Sequence, residues 1–249
     1  MSLKNENTKY TFKIFRFNTD LDKGPRYDTF VKDCPRGTTV LEALLSIQEI
    51  DDDSLAFRFS CRSAVCGSCG MLVNGAPVLA CRTQLSTLIG DQVLIEPLPN
   101  MEVIKDLVVD MKPFWDSYRK VEPWLHADEE KEPKKERHQS PDQVHKLDPY
   151  INCILCASCY GSCPVLGMEE DYLGPAAIAK LFRFMEDSRD QRGERFLEKV
   201  DSPQGLWACH TIFRCIDACP KDLRPTDTIE ALRRRLIKYR FKKFFRLVK

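Results

Sequence analysis

Seven of the twelve cysteines in this 249-residue chain fall into two copies of one spacing. The first copy reads C-x2-C-x2-C-x3-C-P and consists of Cys153, Cys156, Cys159, Cys163 and Pro164. The second copy keeps every interval but has isoleucine at its second position, and consists of Cys209, Ile212, Cys215, Cys219 and Pro220. Thiols at such short, regular intervals favour metal ligation, which constrains how both segments can fold.

The first copy is the iron-sulfur run in which three cysteines hold one cluster and the fourth ligates the other cluster. This crossing rule predicts a [4Fe-4S] cluster on Cys153, Cys156, Cys159 and Cys219. The thiols left for a second cluster are Cys163, Cys209 and Cys215. Three thiolates and one apolar side chain predict a [3Fe-4S] cluster at this second site.

Ile212 indicates how the incomplete site is used. A hydratase-type cluster binds water and substrate at its unligated iron, so polar groups would be expected at the gap. Isoleucine can neither ligate iron nor form hydrogen bonds. We therefore expect Ile212 to close the corner where a fourth iron would sit, and we expect electron transfer at this site.

A third set of cysteines lies in the first half of the chain. Its spacing, C-x4-C-x2-C with a more distant fourth cysteine, is that of plant-type [2Fe-2S] sites, and its members are Cys61, Cys66, Cys69 and Cys81. Gly67 and Gly70 lie beside these residues, where a loop without bulky side chains can fold around a cluster. Four thiolates would also suit zinc, which stays the alternative for this site.

The remaining numbers limit the class of protein. Cys34 is the one cysteine outside the three sets, and we expect a small, partly buried side chain there. The net charge of +1 gives no reason to expect a nucleic-acid partner. A polar start and closely spaced thiols favour a reducing compartment. The sequence has neither a G-x-G-x-x-G fingerprint nor a P-loop, and no apolar run reaches the roughly 20 residues that cross a bilayer.

The first hundred residues have the pattern of a mixed β domain. Thr39 and Glu42 fit a capping box at the start of a helix, and Asn74-Gly75 is a strong hairpin signal. We predict strands over residues 10–17, 27–31, 71–73, 78–80 and 93–96.

The rest of the chain is predicted to be helical, with its cysteines on connecting loops. Residues 126–146 are almost entirely polar and are predicted to form a solvated loop. Pro175 suits the first turn of a helix, and Asp227 with Glu230 is expected to cap a last helix. The apolar positions of that last helix are Ile229, Leu232, Leu236 and Tyr239.

The order of these motifs resembles the iron-sulfur subunit of succinate dehydrogenase and fumarate reductase. The resemblance runs from about residue 10 to residue 235, and the most specific segment is Cys209–Lys221 with its non-cysteine gap. It implies an α+β fold with two domains. Residues 1–105 would form a plant-type ferredoxin β-grasp domain, and residues 106–249 an all-helical, bacterial-ferredoxin-like domain with a basic C-terminal tail.

The resemblance also implies the partners. A separate flavoprotein subunit carries FAD and interconverts succinate and fumarate, as in the tricarboxylic acid cycle. Electrons pass through [2Fe-2S], [4Fe-4S] and [3Fe-4S] in that order to a quinone, which lies beside one or more membrane-anchor subunits that can hold haem b. The chain would be peripheral on the cytoplasmic face of the bacterial inner membrane, with its first domain facing the flavoprotein and its second facing the anchor.

Relatives also indicate which residues lie near the quinone. The matching positions here are Pro164, Met168, His210, Ile212 and Arg233. Ubiquinone-linked members commonly carry tryptophan where this chain has Met168, and methionine cannot donate a hydrogen bond to a quinone oxygen. The segment Cys163–Met168 is closer to menaquinone-linked relatives, so we expect menaquinone.

The end of the chain is basic and aromatic. Nine of the seventeen residues from Arg233 to Lys249 are lysine or arginine. Two interpretations stay open, a solvated helix end whose cations offset the helix dipole, and a surface against lipid headgroups or an anchor subunit. Exposed Phe244 and Phe245 would favour the second interpretation.

Two further classes of function compete with the leading one. The chain could be the iron-sulfur subunit of another flavoprotein-linked enzyme, such as a glycerol-3-phosphate dehydrogenase or a heterodisulfide reductase. Ile212 argues against this class, because those relatives tend to keep a full set of cysteines in both copies. A zinc-stabilised interaction module is the other class, and iron analysis separates it from both.

Overall fold

The chain divides into two compact units in a computed structural model that describes residues 7–127 and 134–245. The first unit comprises the described residues up to Met111 together with Ile154–Ser162. The second comprises Lys112–Cys153 and the described residues from Cys163 onward. These units differ from the predicted domains at residues 106–111 and 154–162.

A mixed five-stranded sheet forms the first unit. Its strands are β1 (Thr8–Arg16), β2 (Arg26–Cys34), β3 (Gly70–Val73), β4 (Ala76–Leu79) and β5 (Gln92–Glu96). Their order across the sheet is β2-β1-β5-β3-β4, in which only β1 and β5 are parallel. Helix α1 (Val40–Ile50) buries Leu44 and Ile47 in the same core as Phe12 and Ile95. One helix on a mixed sheet confirms the predicted fold class of this unit.

Local signals in the sequence determine two of these elements. Thr39 Oγ1 accepts a hydrogen bond from the backbone N–H of Glu42, and the Glu42 carboxylate accepts one from the N–H of Thr39, so the predicted capping box is confirmed. Asn74 and Gly75 both have positive φ angles, 50° and 77°, as a tight turn between β3 and β4 requires. The predicted hairpin therefore forms.

Asp106 attaches a small second ribbon, β6 (Val103–Lys105) and β7 (Val108–Val109), to the sheet domain. Its buried carboxylate accepts hydrogen bonds from Arg16 Nε at 3.1 Å and from the backbone N–H of Ala56 at 2.9 Å. Arg16 is buried too, and it also pairs with Asp28 and Asp52. Because a buried guanidinium without these carboxylates would be costly, the network holds residues 103–109 against β1.

The second unit is helical. Its α-helices are α2 (Lys112–Lys120), α3 (Pro141–Ile151), α5 (Gly174–Met185), α6 (Arg214–Asp217) and α7 (Pro225–Phe244). Helix α4 (Ser158–Gly161) belongs to the first unit. Short 3-10 helices cover Leu85–Thr87 in the first unit, and Glu194–Val200 and Leu206–Ala208 in the second. The longest helix, α7, packs against α5 and buries the four apolar positions predicted for it, Ile229, Leu232, Leu236 and Tyr239.

Three local predictions are wrong. The solvated loop predicted for residues 126–146 gives way to α3 at Pro141, because Ser140 and Gln143 form a capping box; residues 128–133 lie outside the described chain. Among the described residues, no side chain caps α7, whose N-cap residue is Arg224; Asp227 forms an ion pair with Arg224 instead. Cys159 and Cys215 lie on one-turn helices, α4 (Ser158–Gly161) and α6, and not on loops.

Candidate iron-sulfur cluster sites

The loop of the predicted [2Fe-2S] site surrounds its thiols with backbone N–H groups. Cys61 Sγ accepts hydrogen bonds from the N–H groups of Ser63 at 3.4 Å, Val65 at 3.3 Å and Cys66 at 3.2 Å. Cys81 Sγ accepts one from Ala64 at 3.3 Å. Backbone donors aimed at sulfur stabilise thiolates, and a cluster needs its ligands as thiolates.

Backbone strain and the thiol pKa values in this loop also indicate a cluster site. Arg62 and Ala64 have positive φ angles of 56° and 54°, a conformation that costs non-glycine residues energy and that recurs at functional sites. Hydrogen bonds, first from the backbone of Cys61 and then from Ser68, lower the pKa of Cys66 to about 6. Burial raises the pKa of Cys69 to about 12, and a positive metal centre at this thiol would favour its thiolate. The residues fit a cluster.

Gly67 brings this loop against the first copy of the later motif. Its φ angle is +73°, and a Cβ added there would lie 2.8 Å from the carbonyl oxygen of Ile154 and 2.9 Å from the Cα of Cys156. Both neighbours are backbone atoms of the first unit. Only glycine allows this approach, which places a predicted [4Fe-4S] ligand next to the [2Fe-2S] loop.

The repeat in the sequence is also a repeat in backbone conformation. Leu155 and Ala157 in the first copy have φ angles of 54° and 61°, and Thr211 and Phe213 at the equivalent positions have 57° and 66°. In each copy the second left-handed residue directly precedes a one-turn helix, α4 or α6. The two segments are therefore built alike, although Ile212 replaces a cysteine.

The three cysteines of the incomplete copy line one pocket. Its walls comprise Cys163, Pro164, Val165, Tyr172, Pro175, Thr226 and Ile229 with the whole segment from Cys209 to Cys215. The pocket contains the complete thiol set predicted for the second cluster, and all of it belongs to the second unit. Burial is the main reason why the pKa of Cys163 and that of Cys215 are raised. This is expected for thiols whose deprotonation depends on a bound metal.

Two buried hydroxyl groups in this pocket were not predicted from the sequence. Thr226 Oγ1 lies 3.1 Å from Cys215 Sγ, and both residues are buried. Tyr172 is also buried; burial raises its pKa, and the thiols of Cys209, Cys163 and Cys215 add to the shift, as does a hydrogen bond with Cys209. Each hydroxyl can donate to a thiolate, and such bonds tune cluster potentials. For Thr226, the sequence pattern that could have indicated this role is a polar residue on the apolar face of a helix.

Arg233 holds the segment that carries Cys209. Its guanidinium donates to the carbonyl oxygens of Leu206 at 2.9 Å, Cys209 at 2.7 Å and Trp207 at 3.4 Å. It also pairs with Glu230 at 2.8 Å. The planar fork of arginine can bond several carbonyls at once, which fixes the backbone at a predicted ligand. Cys209 Sγ itself accepts from the N–H of Thr211 at 3.4 Å.

The four predicted [4Fe-4S] ligands are divided between the units. Cys156 and Cys159 belong to the first unit, and Cys153 and Cys219 to the second. Cys219 Sγ accepts a backbone hydrogen bond from Leu223 at 3.4 Å, much as the thiols of the other two sites do. Burial lowers the pKa of Lys180 and the nearby thiol of Cys153 opposes that shift, so a cation lies beside this predicted ligand.

The residues predicted to lie near quinone are only partly brought together. Pro164, His210 and Ile212 line the pocket with the three thiols, whereas Met168 and Arg233 do not. Ile212 lines this pocket and is 48 % exposed. That it closes the corner of a fourth iron stays a prediction. A larger cavity next to it shares His210 and Val165 and is also lined by Asp201, Trp207 and Arg240.

Within residues 7–127 and 134–245, no group of three or more His, Cys, Asp or Glu side chains converges on one point as the ligands of a single ion would. In the same residues, no helix is long and apolar enough to span a bilayer.

Known protein families match both cysteine-bearing parts of the chain. Residues 11–116 match the family described as "2Fe-2S iron-sulfur cluster binding domain", and residues 146–220 match "4Fe-4S dicluster domain". Fold and site thus define a two-domain iron-sulfur protein with a plant-type ferredoxin domain and a dicluster domain.

Relatives then identify the family. The chain is 42% identical over 230 residues to the succinate dehydrogenase iron-sulfur subunit of Coxiella burnetii (strain RSA 493 / Nine Mile phase I), which covers 91% of this chain and 97% of the relative. It belongs to the family of succinate dehydrogenase iron-sulfur subunits.

Two solved structures share the fold. A chain of the Mycobacterium smegmatis Sdh1 complex in the apo form superposes with a TM-score of 0.85 at 24% identity, covering 94% of this chain and 98% of that one. A hypothetical protein from Helicobacter pylori gives a TM-score of 0.57 at 17% identity, covering 92% of this chain and 39% of that one.

Proposed function

We propose that this chain is the electron-transfer subunit of a membrane-bound succinate:quinone oxidoreductase, either a succinate dehydrogenase or a quinol:fumarate reductase. The dicarboxylate chemistry belongs to a separate FAD-containing flavoprotein subunit. When bound, the clusters supply one-electron transfer between that FAD and a quinone.

The observation that carries the proposal is the repeated backbone with one ligand exchanged. The segments around Cys156 and Ile212 share their left-handed residues and their one-turn helices, so the second segment keeps the frame of a cluster site. This supports [4Fe-4S] on Cys153, Cys156, Cys159 and Cys219. It supports [3Fe-4S] on Cys163, Cys209 and Cys215, and the N–H donors to Cys61 and Cys81 support [2Fe-2S] on Cys61, Cys66, Cys69 and Cys81.

The protein itself would hold and tune these groups. Gly67 permits close contact between the [2Fe-2S] loop and Cys156, which shortens the path for electrons. Thr226 and Tyr172 would donate hydrogen bonds to the thiolates of Cys215 and Cys209, and Arg233 would keep the Cys209 backbone in position. Hydrogen bonds to cluster sulfur favour the reduced, more negative state.

We further propose that quinone approaches the pocket that Pro164, His210 and Ile212 line. His210 is exposed and directly follows Cys209, so it can exchange a proton with solvent or with a quinone oxygen. Met168 is 68 % exposed and supplies no hydrogen-bond donor, in keeping with menaquinone. Arg233 acts on this site through the backbone of Cys209.

The chain would be peripheral on the cytoplasmic face of the bacterial inner membrane, held by anchor subunits that can carry haem b. The membrane complex can be purified through a tag on this chain, and its cluster reduction followed by EPR after addition of succinate. We expect succinate to reduce the clusters and a menaquinone analogue to reoxidise them. Reduction by glycerol-3-phosphate and not by succinate would favour the alternative flavoprotein partner, and a clear preference for ubiquinone would overturn the menaquinone assignment.

A further inference from the structure

The basic residues on the two faces of helix α7 differ in their ion pairing. On the face toward the second unit, Arg235 pairs with Glu186 and Glu194, Arg240 with Asp201, and Lys243 with Glu198. These carboxylates lie in residues 186–201, and Tyr239 also donates to Glu198 at 2.7 Å. These three cations are therefore paired within the second unit, although Arg240 and Lys243 stay more than half exposed.

The outward face carries a basic row and an apolar row side by side. Arg234, Lys238 and Lys242 recur every fourth residue, and so do Ile237, Phe241 and Phe245, so each row keeps to one side of the helix. For the three outward cations, no ion-pair partner is found in the part of the chain that the structure describes. Glu230, nearer the start of this face, pairs with Arg233.

The apolar row ends in an exposed aromatic patch. Phe241, Phe244 and Phe245 are 64 %, 81 % and 60 % exposed. Their rings touch one another, since the centroids of Phe241 and Phe245 lie 6.2 Å apart and those of Phe244 and Phe245 lie 5.2 Å apart. Single exposed apolar side chains are ordinary on protein surfaces, but a contiguous patch of three rings marks a contact surface.

The composition of this face indicates what it contacts. Lysine is depleted in the cores of protein interfaces, because its desolvated ammonium is costly there. An amphipathic helix in a membrane interface instead combines Phe with Lys or Arg, since the rings enter the headgroup boundary and the long basic side chains reach the lipid phosphates. We propose that the outward face of α7, Arg234 to Phe245, binds an anionic lipid surface.

Lipid binding by this face requires neither a cluster nor a quinone. It also requires no protein partner, unlike docking on an anchor subunit. Residues 246–249, Arg-Leu-Val-Lys, continue the basic and apolar composition but lie outside the described chain.

Sedimentation of the full-length holoprotein with vesicles tests the proposal without any other subunit. We expect binding to phosphatidylcholine vesicles that contain about 30 % phosphatidylglycerol, weaker binding to phosphatidylcholine alone, and a decline as salt rises. Lys242→Gln should weaken binding to the anionic vesicles about fivefold, and the double variant Lys238→Gln, Lys242→Gln about 30-fold. Phe244→Ser should weaken binding at every salt concentration.

Lys243→Gln is the matched control, because Lys243 is the next residue of the same helix but pairs with Glu198. It should bind vesicles within about twofold of wild type. An unchanged visible spectrum of the clusters would show that each variant is folded. Absence of wild-type binding to anionic vesicles, or equal losses for Lys242→Gln and Lys243→Gln, would overturn the proposal. So would variants that bind vesicles normally but fail to assemble with the membrane subunits, since the face would then dock on protein.

Discussion

Gly67 lies in direct contact with the backbone of Cys156, with no room for a Cβ between the two residues. Gly67 stands between two predicted [2Fe-2S] ligands, and Cys156 is a predicted ligand of the [4Fe-4S] cluster. The contact therefore joins two sites that are about ninety residues apart in the sequence. The close approach of the Cys156 backbone to this loop therefore requires glycine at position 67.

Substitution of Gly67 by alanine should destabilise the protein more than a left-handed conformation alone explains. The positive φ angle costs alanine about 1–2 kcal/mol. The clash with Ile154 and Cys156 adds roughly 2 kcal/mol, because the neighbours are backbone atoms that cannot turn aside. The second contribution should lower the thermal midpoint by a further 4–8 °C or so.

Gly75→Ala is the control for this comparison. Gly75 has a φ angle of +77°, close to that of Gly67, but no atom of the described residues lies within 4 Å of a Cβ placed there. Equal shifts in the two thermal midpoints, measured at one scan rate, would contradict the proposed contact.

Removal of the Thr226 hydroxyl should lower the reduction potential of the [3Fe-4S] cluster. Thr226→Val keeps the shape of the side chain but loses the hydrogen bond to Cys215 Sγ. A bond worth about 1 kcal/mol more in the reduced state corresponds to about 40 mV for a one-electron couple. An EPR-monitored redox titration measures this shift.

Thr228→Val provides the comparison. Thr228 is buried on the same helix, but its hydroxyl donates to the carbonyl oxygen of Pro225 and not to a thiol. The [3Fe-4S] reduction potential of the Thr228→Val variant should equal that of wild type. If both valine variants shift the potential alike, the effect comes from packing and the role of Thr226 is refuted.

Arg233 should be required for a stable second cluster site. Arg233→Gln removes hydrogen bonds to the carbonyl oxygens of Leu206 and Cys209, which should cost about 2 kcal/mol and lower the thermal midpoint by about 4–8 °C. The [3Fe-4S] signal per chain should fall while the [2Fe-2S] signal is retained. Arg234→Gln, an exposed neighbour, should change neither quantity; a full [3Fe-4S] signal in Arg233→Gln would contradict this account.

Much of this architecture was predictable because its signals are local. The capping box of Thr39 and the Asn74-Gly75 turn depend on residues that are adjacent or nearly so, and cysteine spacing reports ligands directly. Helix α3 was missed although Ser140 and Gln143 carry a capping box, because the polar composition of residues 126–146 outweighed that signal.

Other features depend on contacts between distant segments and leave no pattern in the sequence. Tyr172, just before α5, and Thr226, in the first turn of α7, reach the thiols of the second site from separate parts of the chain. Arg233 contacts a stretch more than twenty residues before it. The half-exposed position of Ile212 likewise follows from how its loop packs, which the residue type alone could not indicate.

Replacement of Ile212 by cysteine should restore the missing ligand. The repeated backbone places Ile212 where Cys156 stands in the first copy, so Ile212→Cys should convert [3Fe-4S] to [4Fe-4S] and raise iron from about nine to about ten atoms per chain. Phe213→Cys adds a thiol one residue away and should leave the cluster unchanged. Equal effects of the two variants would argue against a specific ligand position.

The EPR spectrum of the oxidised wild-type protein reports which cluster type the last site holds. With three thiolates and Ile212 at the last site, we predict a [3Fe-4S] signal of about one spin per chain, which is absent in Ile212→Cys. A wild-type protein that holds zinc, or that shows no [3Fe-4S] signal when oxidised, would contradict the account.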